Sequence, residues 1–298
     1  MATVNFVQQI YSREVLQAFV QNLAPLRGFS IDASPAPAEQ GTVVKMSLIS
    51  NATSDTDNTN FEVDGGTLNE IDVTLGTYRK TSLSVSDQQL VETMGASLLQ
   101  LNNAYQAGAR LATDVWSDIT AAITPLAFPA TPFKVAANGA FTPDDVSALL
   151  ADAYGPTLKF PKKGVSLYLT AQAFYALVGK LSYITYGDQS AIRFGRIDGL
   201  FGLDSVYWSN VMPIAAAAPA IVGFLATPAA FGVCFRHIPA PYPQEYIAVD
   251  ELSDEEGLTI GYRRHYARKL RKTFDVWDTL YGFQKGDPEA LLLITNQT

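Results

Sequence analysis

Residues 71–87, IDVTLGTYRKTSLSVSD, decide how this chain must be read. Ile71, Val73 and Leu75 alternate with Asp72 and Thr74, which gives an extended segment one apolar and one polar face. Leu83 and Val85 resume the period of two beyond Gly76. Ser86-Asp87-Gln88-Gln89 then fits a capping box, with Ser at the N-cap and Gln at N3, so a helix is expected to open directly after the strand. Upstream, TVVKMSLI over 42–49 is β-branched and partly alternating, and SNATSDTDNTN over 50–60 is a polar tract that can bury nothing. Gly65-Gly66 marks a turn. Residues 42–86 therefore read as a long β-hairpin with a soft polar insert. A lone two-stranded hairpin is marginal in water, so this one must lie against something else, and the nearby sequence offers no obvious partner.

Downstream, Leu90, Met94, Leu98, Leu101, Tyr105, Ala112, Val115, Ile119 and Ile123 hold one stripe for about 35 residues, roughly 50 Å of helix. No proline interrupts before Pro125, although Gly95 and Gly108 are places where a break is expected if there is one. Upstream of the hairpin, Phe6, Ile10, Leu16, Phe19, Val20 and Leu23 recur at helical steps over 2–24; Pro25 and Gly28 end the run, and Ser34-Pro35-Ala36-Pro37-Ala38 is a connector.

The rest of the chain alternates short elements. Residues 125–140 form a loop rich in Pro and Ala. Thr142-Pro143-Asp144-Asp145 opens a helix that stops at Gly155-Pro156. Strands are expected at 164–169, 203–208 and 220–226, a helix over 170–178 ending at Gly179, and a helical turn at 228–232, so that 140–236 makes an α+β unit. The tail is mostly β. Residues 246–249 and 258–266 flank a tip of five acids, Asp250, Glu251, Asp254, Glu255 and Glu256, and two further strands follow at 274–281 and 290–294. Six bases fall within ten positions: Arg263, Arg264, Arg268, Lys269, Arg271 and Lys272. On a strand, alternate bases face opposite sides and make no single patch, so pairing with acids of the same chain or a neighbour is the expectation.

The 298 residues carry 21 Lys+Arg and 29 Asp+Glu, a net charge of −8, which speaks against a dedicated nucleic-acid binder. Charged residues are 17% where about 25% is usual, and 48% are hydrophobic, which excludes general disorder. The single Cys excludes an internal disulfide framework. Residues 205–235 contain no charge, yet Pro213, Pro219 and Pro228 with Gly223 and Gly232 punctuate them too often for a membrane-spanning helix. The N-terminus has no secretory pattern, so no membrane partner and a cytoplasmic site of synthesis are expected.

The chemical inventory is nearly empty. Cys234-x-x-His237 is half of a zinc-type spacing without a second Cys, and Cys234 sits in an apolar run where a buried thiol is expected. There is no G-x-S-x-G, no P-loop and no G-x-G-x-x-G. Asp144-Asp145 and Glu255-Glu256 are explained by capping and solvation. No catalytic residue, metal site or cofactor is expected, and the chain reads as non-enzymatic.

The order of these pieces resembles the major capsid proteins of tailed bacteriophages with the HK97-type fold. The segments that carry it are 71–87, VSLYLTAQAFYAL over 165–177, IVGFLATPAAFGVCF over 221–235, and 279–293. The resemblance implies an α+β HK97-like capsid fold. Its parts would be an N-arm at 1–40, an E-loop at 41–86 and a P-domain with the spine helix at 87–139. An A-domain at 140–236, a P-domain hairpin at 237–273 and A-domain return strands at 274–298 would complete it. It implies a structural subunit that self-assembles into pentamers and hexamers of an icosahedral capsid around double-stranded DNA. Assembly would take place in the host cytoplasm with a separate scaffolding protein and a portal, the packaged DNA lying close by without specific contacts. Candidate inter-subunit residues are then Lys45, Phe61, Glu62, Arg79, Lys80, Asp254, Glu255, Glu256, Arg263 and Arg264, and the coreless hairpin would find its partner in another subunit. Some relatives crosslink an E-loop Lys to a neighbour's P-domain Asn; residues 211–295 contain no Asn, so no such bond is expected. An encapsulin-like cellular shell, another phage structural part such as a tail tube, and a small-molecule enzyme built on 140–236 are the alternative readings.

Overall fold

The computed structural model describes residues 2–32, 43–50, 67–88, 96–155, 158, 160–161, 163–181, 196–198, 202–209, 220–239, 246–254 and 258–296. Its longest strand, β13 (Lys272–Lys285), organises a six-stranded sheet. Along one edge, β13 pairs antiparallel with β4 (Thr77–Ser86) from Lys272↔Ser86 to Tyr281↔Thr77. The other edge carries β12 (Thr259–Ala267) against 272–278 and β10 (Phe231–Arg236) against 280–285. Outside these lie β11 (Ala248–Ser253) on β12 and β1 (Ser30–Asp32), parallel to β10.

The second sheet has the order β5-β14-β9-β6-β8-β7. Its strands are β5 (Phe133–Val135), β6 (Ser166–Thr170), β7 (Arg196–Asp198), β8 (Ser205–Ser209), β9 (Ile221–Ala226) and β14 (Leu291–Asn296). Its central strands are apolar on both faces because both faces are covered. Tyr168, Phe224, Leu291 and Leu293 enter one core, whereas Leu167, Leu169, Val222, Leu225, Leu292 and Ile294 enter the other. On the second side lie α3 (Pro143–Ala153) and α4 (Ala171–Leu181). The Thr142 hydroxyl accepts from the Asp145 backbone N–H and the Asp145 carboxylate accepts from the Thr142 N–H at 2.8 Å, closing the expected cap of α3.

On the first side, α1 (Ala2–Leu23) packs on α2 (Ala96–Ala121). The expected helix start directly after the strand is met: Ser86 is the last residue paired in β4 and Asp87 and Gln88 are helical, while the continuation through Leu90 and Met94 lies outside the described residues. Tyr105 is 47% exposed and leaves the expected stripe, while Ala104, Ala107 and Leu111 take the buried side. Nor does the helix break at Gly108. A Cβ there would lie 2.4 Å from the Val15 carbonyl oxygen, so the missing side chain is what lets α1 cross α2 closely.

Residues expected to form an arm over 1–40 instead contribute core from Ser12 to Asp32. Val15, Ala18, Phe19 and Leu23 are wholly buried. Phe29 follows the 3₁₀ turn Ala24–Gly28 and makes edge-to-face contacts with Trp116, Tyr168, Phe224 and Phe231 at 5.2–5.7 Å. One ring thus joins α2, the second sheet and β10. The Tyr168 hydroxyl donates to the Pro25 carbonyl at 2.6 Å and fixes the turn that delivers it.

The hairpin is β2 (Val43–Ser50) with β3 (Thr67–Thr74), in register from Val43↔Thr74 to Ser50↔Thr67. Its base does not wait for another subunit. Val44, Met46, Ile71, Val73 and Leu75 bury against Cys234 of β10 and Leu280 of β13. Gly282 makes the approach possible, since a Cβ there would lie 2.2 Å from the Thr74 carbonyl oxygen. The expected partition at residue 236 also shifts. The chain leaves the second sheet at the 3₁₀ turn Pro228–Ala230, so β10 belongs to the first sheet, as does β13; of the C-terminal strands only β14 returns to the second. That return passes through a second 3₁₀ turn, Pro288–Ala290, beside the first. Gly286 N–H donates to Ala230 O at 2.8 Å, Asp287 N–H to Ala229 O at 3.0 Å and Thr227 N–H to Ala290 O at 3.0 Å.

Phe29→Ala removes the ring that these elements share and is expected to destabilise the chain by about 3–5 kcal/mol. Leu126→Ala, at a side chain 93% exposed, should stay within about 0.5 kcal/mol. Urea unfolding of the two variants measures the contrast.

Candidate functional site

The hairpin leaves the body along β4, and polar contacts fix its direction. Arg79 Nε and Nη2 donate to the two carboxylate oxygens of Asp118 on α2 at 2.9 and 2.7 Å. The Tyr281 hydroxyl of β13 donates to the same carboxylate. Burial pushes the Asp118 carboxyl up, but the hydrogen bonds from Arg79 and Tyr281 outweigh it and hold the group below the usual carboxylate range. Burial, then the bond to Asp118, pushes the Tyr281 phenol up, so that it stays a donor. One carboxylate thereby ties β4, α2 and β13 together.

A second polar cluster lies under β12. Asp278 is 1% exposed; its Oδ2 accepts from the Tyr78 hydroxyl at 2.9 Å and pairs with Arg263 Nη2 at 3.4 Å. Arg263 also donates to the Ile238 carbonyl at 2.6 Å. Burial first, then Asp278, raises the Tyr78 phenol to about 12. Asp275 accepts from the Tyr262 hydroxyl at 2.6 Å and pairs with Arg264 Nε at 3.4 Å. Arg263 and Arg264, read from sequence as inter-subunit candidates, are thus part-buried and ion-paired with aspartates of their own chain. Leaving either carboxylate buried without its arginine would be costly.

The other candidates part company. Arg79 is spent on Asp118. Asp254 pairs with Arg27 at 3.2 Å. Lys45 is exposed on β2 opposite Asp72, and Lys80 is exposed on β4 opposite Asp278 in the ladder. Phe61, Glu62, Glu255 and Glu256 lie outside the described residues. The expected five-acid tip is corrected: Asp250 and Glu251 are inside β11, opposite Tyr262 and Gly261. Likewise the six-base run is not one strand, because residues 268–271 form the turn between β12 and β13. Asp118, Asp275, Asp278 and Tyr281 were not picked out by sequence reasoning. The signal available was two acids, Asp275 and Asp278, inside an otherwise strand-like FDVWDTLY.

Cys234 is buried under the hairpin with Val44 and Val73 rather than beside an open cavity. Among the described residues no three His, Cys, Asp or Glu side chains come together as a metal site, and no helix is long and apolar enough to cross a membrane. A cleft of about 490 Å³ between the loop 129–132 and Pro288 is walled by proline and leucine, with Asp152 and Glu289 as its carboxylates. Among the described residues its lining has no His, Cys or Lys to pair with them.

No known family profile matches the chain, and no curated protein matches it. Solved structures do. A chain of the capsid of cyanophage P-SCSP1u superposes with a TM-score of 0.55 at 13% identity, covering 90% of this chain and 86% of its own. The virus-like particle of Pyrococcus furiosus gives 0.53 at 13%, covering 96% and 98%, and the capsid of cyanophage Pam1 gives 0.53 at 12%, covering 92% and 91%. The chain therefore has the α+β fold of phage capsid subunits along almost its whole length, in agreement with the resemblance read from its sequence.

Asp118→Asn removes the charge that Arg79 and Tyr281 share. At neutral pH the loss should be about 1 kcal/mol, kept small because Arg79 is 43% exposed. The folded-state value lies below the unfolded one, so this stabilisation is present in full above the ordinary carboxylate range and disappears as pH falls through the lowered value. Thermal unfolding of the two chains at neutral pH and in acid should show a difference that closes in acid; a difference that persists there would contradict the assignment.

Proposed function

We propose that the chain is a structural subunit of an icosahedral, HK97-type capsid that self-assembles around double-stranded viral DNA. The observation that carries this is the whole-length likeness to the cyanophage P-SCSP1u capsid chain, with a TM-score of 0.55 over 90% of the residues. In this reading residues 41–86 are the E-loop, with a base anchored on β10 and β13 and an outer part that reaches a neighbour. Helix α2 is the spine of the P-domain, and the first sheet with β11, β12 and β13 belongs to it. The second sheet with α3 and α4 is the A-domain that meets its copies around five- and six-fold axes. Scaffolding, portal and packaged DNA are the expected partners, with the virion capsid as destination. The role is mechanical, and no reaction is assigned to the chain.

The likeness to the Pyrococcus furiosus virus-like particle, over 96% of this chain, supports a second reading as a cellular shell protein. Particles purified from the producing cell distinguish the two. Nuclease-protected double-stranded DNA of uniform length supports the viral reading, and shells enclosing protein support the cellular one.

The test of the shared claim is electron microscopy of the full chain, expressed with and without its neighbouring genes. Closed icosahedral shells are expected; stacked rings or tubes, or a monodisperse monomer under every condition, would overturn the proposal. Boiling assembled particles in detergent should give a single monomer band, because the hairpin part of the P-domain and its flanks, residues 211–295, offer no Asn for a crosslink. A ladder of covalent oligomers would contradict that expectation.

A further inference from the structure

The ladder β11–β12–β13 ends in opposite charges. At one end the turn Arg268-Lys269-Leu270-Arg271, followed by Lys272, projects four exposed cations. Leu270 between them is 61% exposed, and Arg271 holds a left-handed backbone with φ of 49°. None of the four forms an ion pair among the described residues. The nearby Asp87 is engaged by the Tyr266 hydroxyl at 2.7 Å and by its own backbone bond to the Arg271 carbonyl. The other two bases of the run, Arg263 and Arg264, are already neutralised inside the sheet.

Toward the other end, β11 is the last strand of the sheet, so one of its edges has no pairing strand among the described residues. Asp250 and Glu251 are exposed on it without an ion pair among the described residues, and Ile247, 59% exposed, stands just before it. Asp250 faces Tyr262, six residues before the turn begins. At strand spacing that separates the two charge clusters by ~20 Å. This is more than twice the screening length of about 8 Å at physiological salt, so neither end neutralises the other within one chain.

Resting on the reading of the chain as a self-assembling subunit, we propose that copies associate head to tail through this ladder, the cationic turn 268–272 of one seated on the β11 edge of the next. Lys269 and its neighbours straddle the β11 edge, reaching Asp250 on one face of the strand and Glu251 on the other, and Leu270 meets Ile247. The two surfaces differ, so the contact is heterologous: each copy offers one end and accepts the other, which adds subunits in a single rotational sense and closes into a ring. A patch of this size lies below a stable standard interface, so it fixes orientation and encounter while broader contacts hold the shell.

Charge reversal tests it on the full chain, with sedimentation velocity at about 0.1 M salt as the readout and thermal unfolding as the fold control. R268E/K269E cancels the net charge of the turn and sets two acids against Asp250 and Glu251, D250K/E251K places like charges at every contact, and each alone should raise the concentration for half-association about tenfold or more. In an equimolar mixture every contact between unlike variants brings opposite charges together, and the chain carrying all four changes does so at every contact. Both should return to within about twofold of the unaltered chain. Unaltered association of either folded variant, or failure of the mixture to recover, overturns the proposal while leaving the shell reading intact, provided the unaltered chain forms particles. Loss of binding to a double-stranded DNA fragment by R268E/K269E without a change in association assigns the turn to phosphate and also overturns it. A chain that stays monomeric in every condition removes both.

Discussion

Everything in this fold is referred to β13. A strand of fourteen residues with both edges occupied cannot shift register without breaking β4 on one side and β12 or β10 on the other. The same strand supplies Asp275, Asp278 and Tyr281, so the hydrogen-bond ladder and the polar anchors are locked together. Hairpin, α2 and β12 are positioned relative to one another because each touches β13 or a side chain it presents, and β11 follows one strand further out through β12.

Local pattern was readable wherever it answers to a local cause. The alternation Ile71, Val73, Leu75 gave a strand with its apolar face correctly assigned, and Thr142 with Asp145 gave a helix start confirmed down to the reciprocal cap. What could not be read was where each apolar face lands. Nothing in the sequence around Val44 or Ile71 points to Cys234 and Leu280, roughly two hundred residues away, so the hairpin was assigned a partner in another chain. Phe29 follows a proline-containing turn and precedes a Pro/Ala connector, and its local surroundings suggest a departing arm rather than the ring on which four others converge.

The charged residues misled in a similar way. Of the two partners open to Arg263 and Arg264, acids of the same chain or of a neighbour, the structure has the former, because the adjacent strand β13 carries Asp275 and Asp278, three places apart, against them. Arg79 showed its exposure correctly and hid its partner, since Asp118 lies on a helix thirty-nine residues further on. The bases left over after this internal neutralisation are the ones at the turn, a distinction available only once the partners are known. The low overall charge content becomes intelligible in the same terms: part of an already small stock is consumed inside the subunit.

The paired crossings at Pro228–Ala230 and Pro288–Ala290 have a mechanical meaning. Two chain passes run side by side between the sheets, cross-linked by three backbone hydrogen bonds, and the Phe29 ring is wedged against Phe231 directly beside them. A single pass would be a swivel, whereas two bonded passes with a wedge form a clamped joint that resists both tilt and torsion. The two sheets are therefore coupled, and tilting one against the other has to break backbone hydrogen bonds and displace the Phe29 ring.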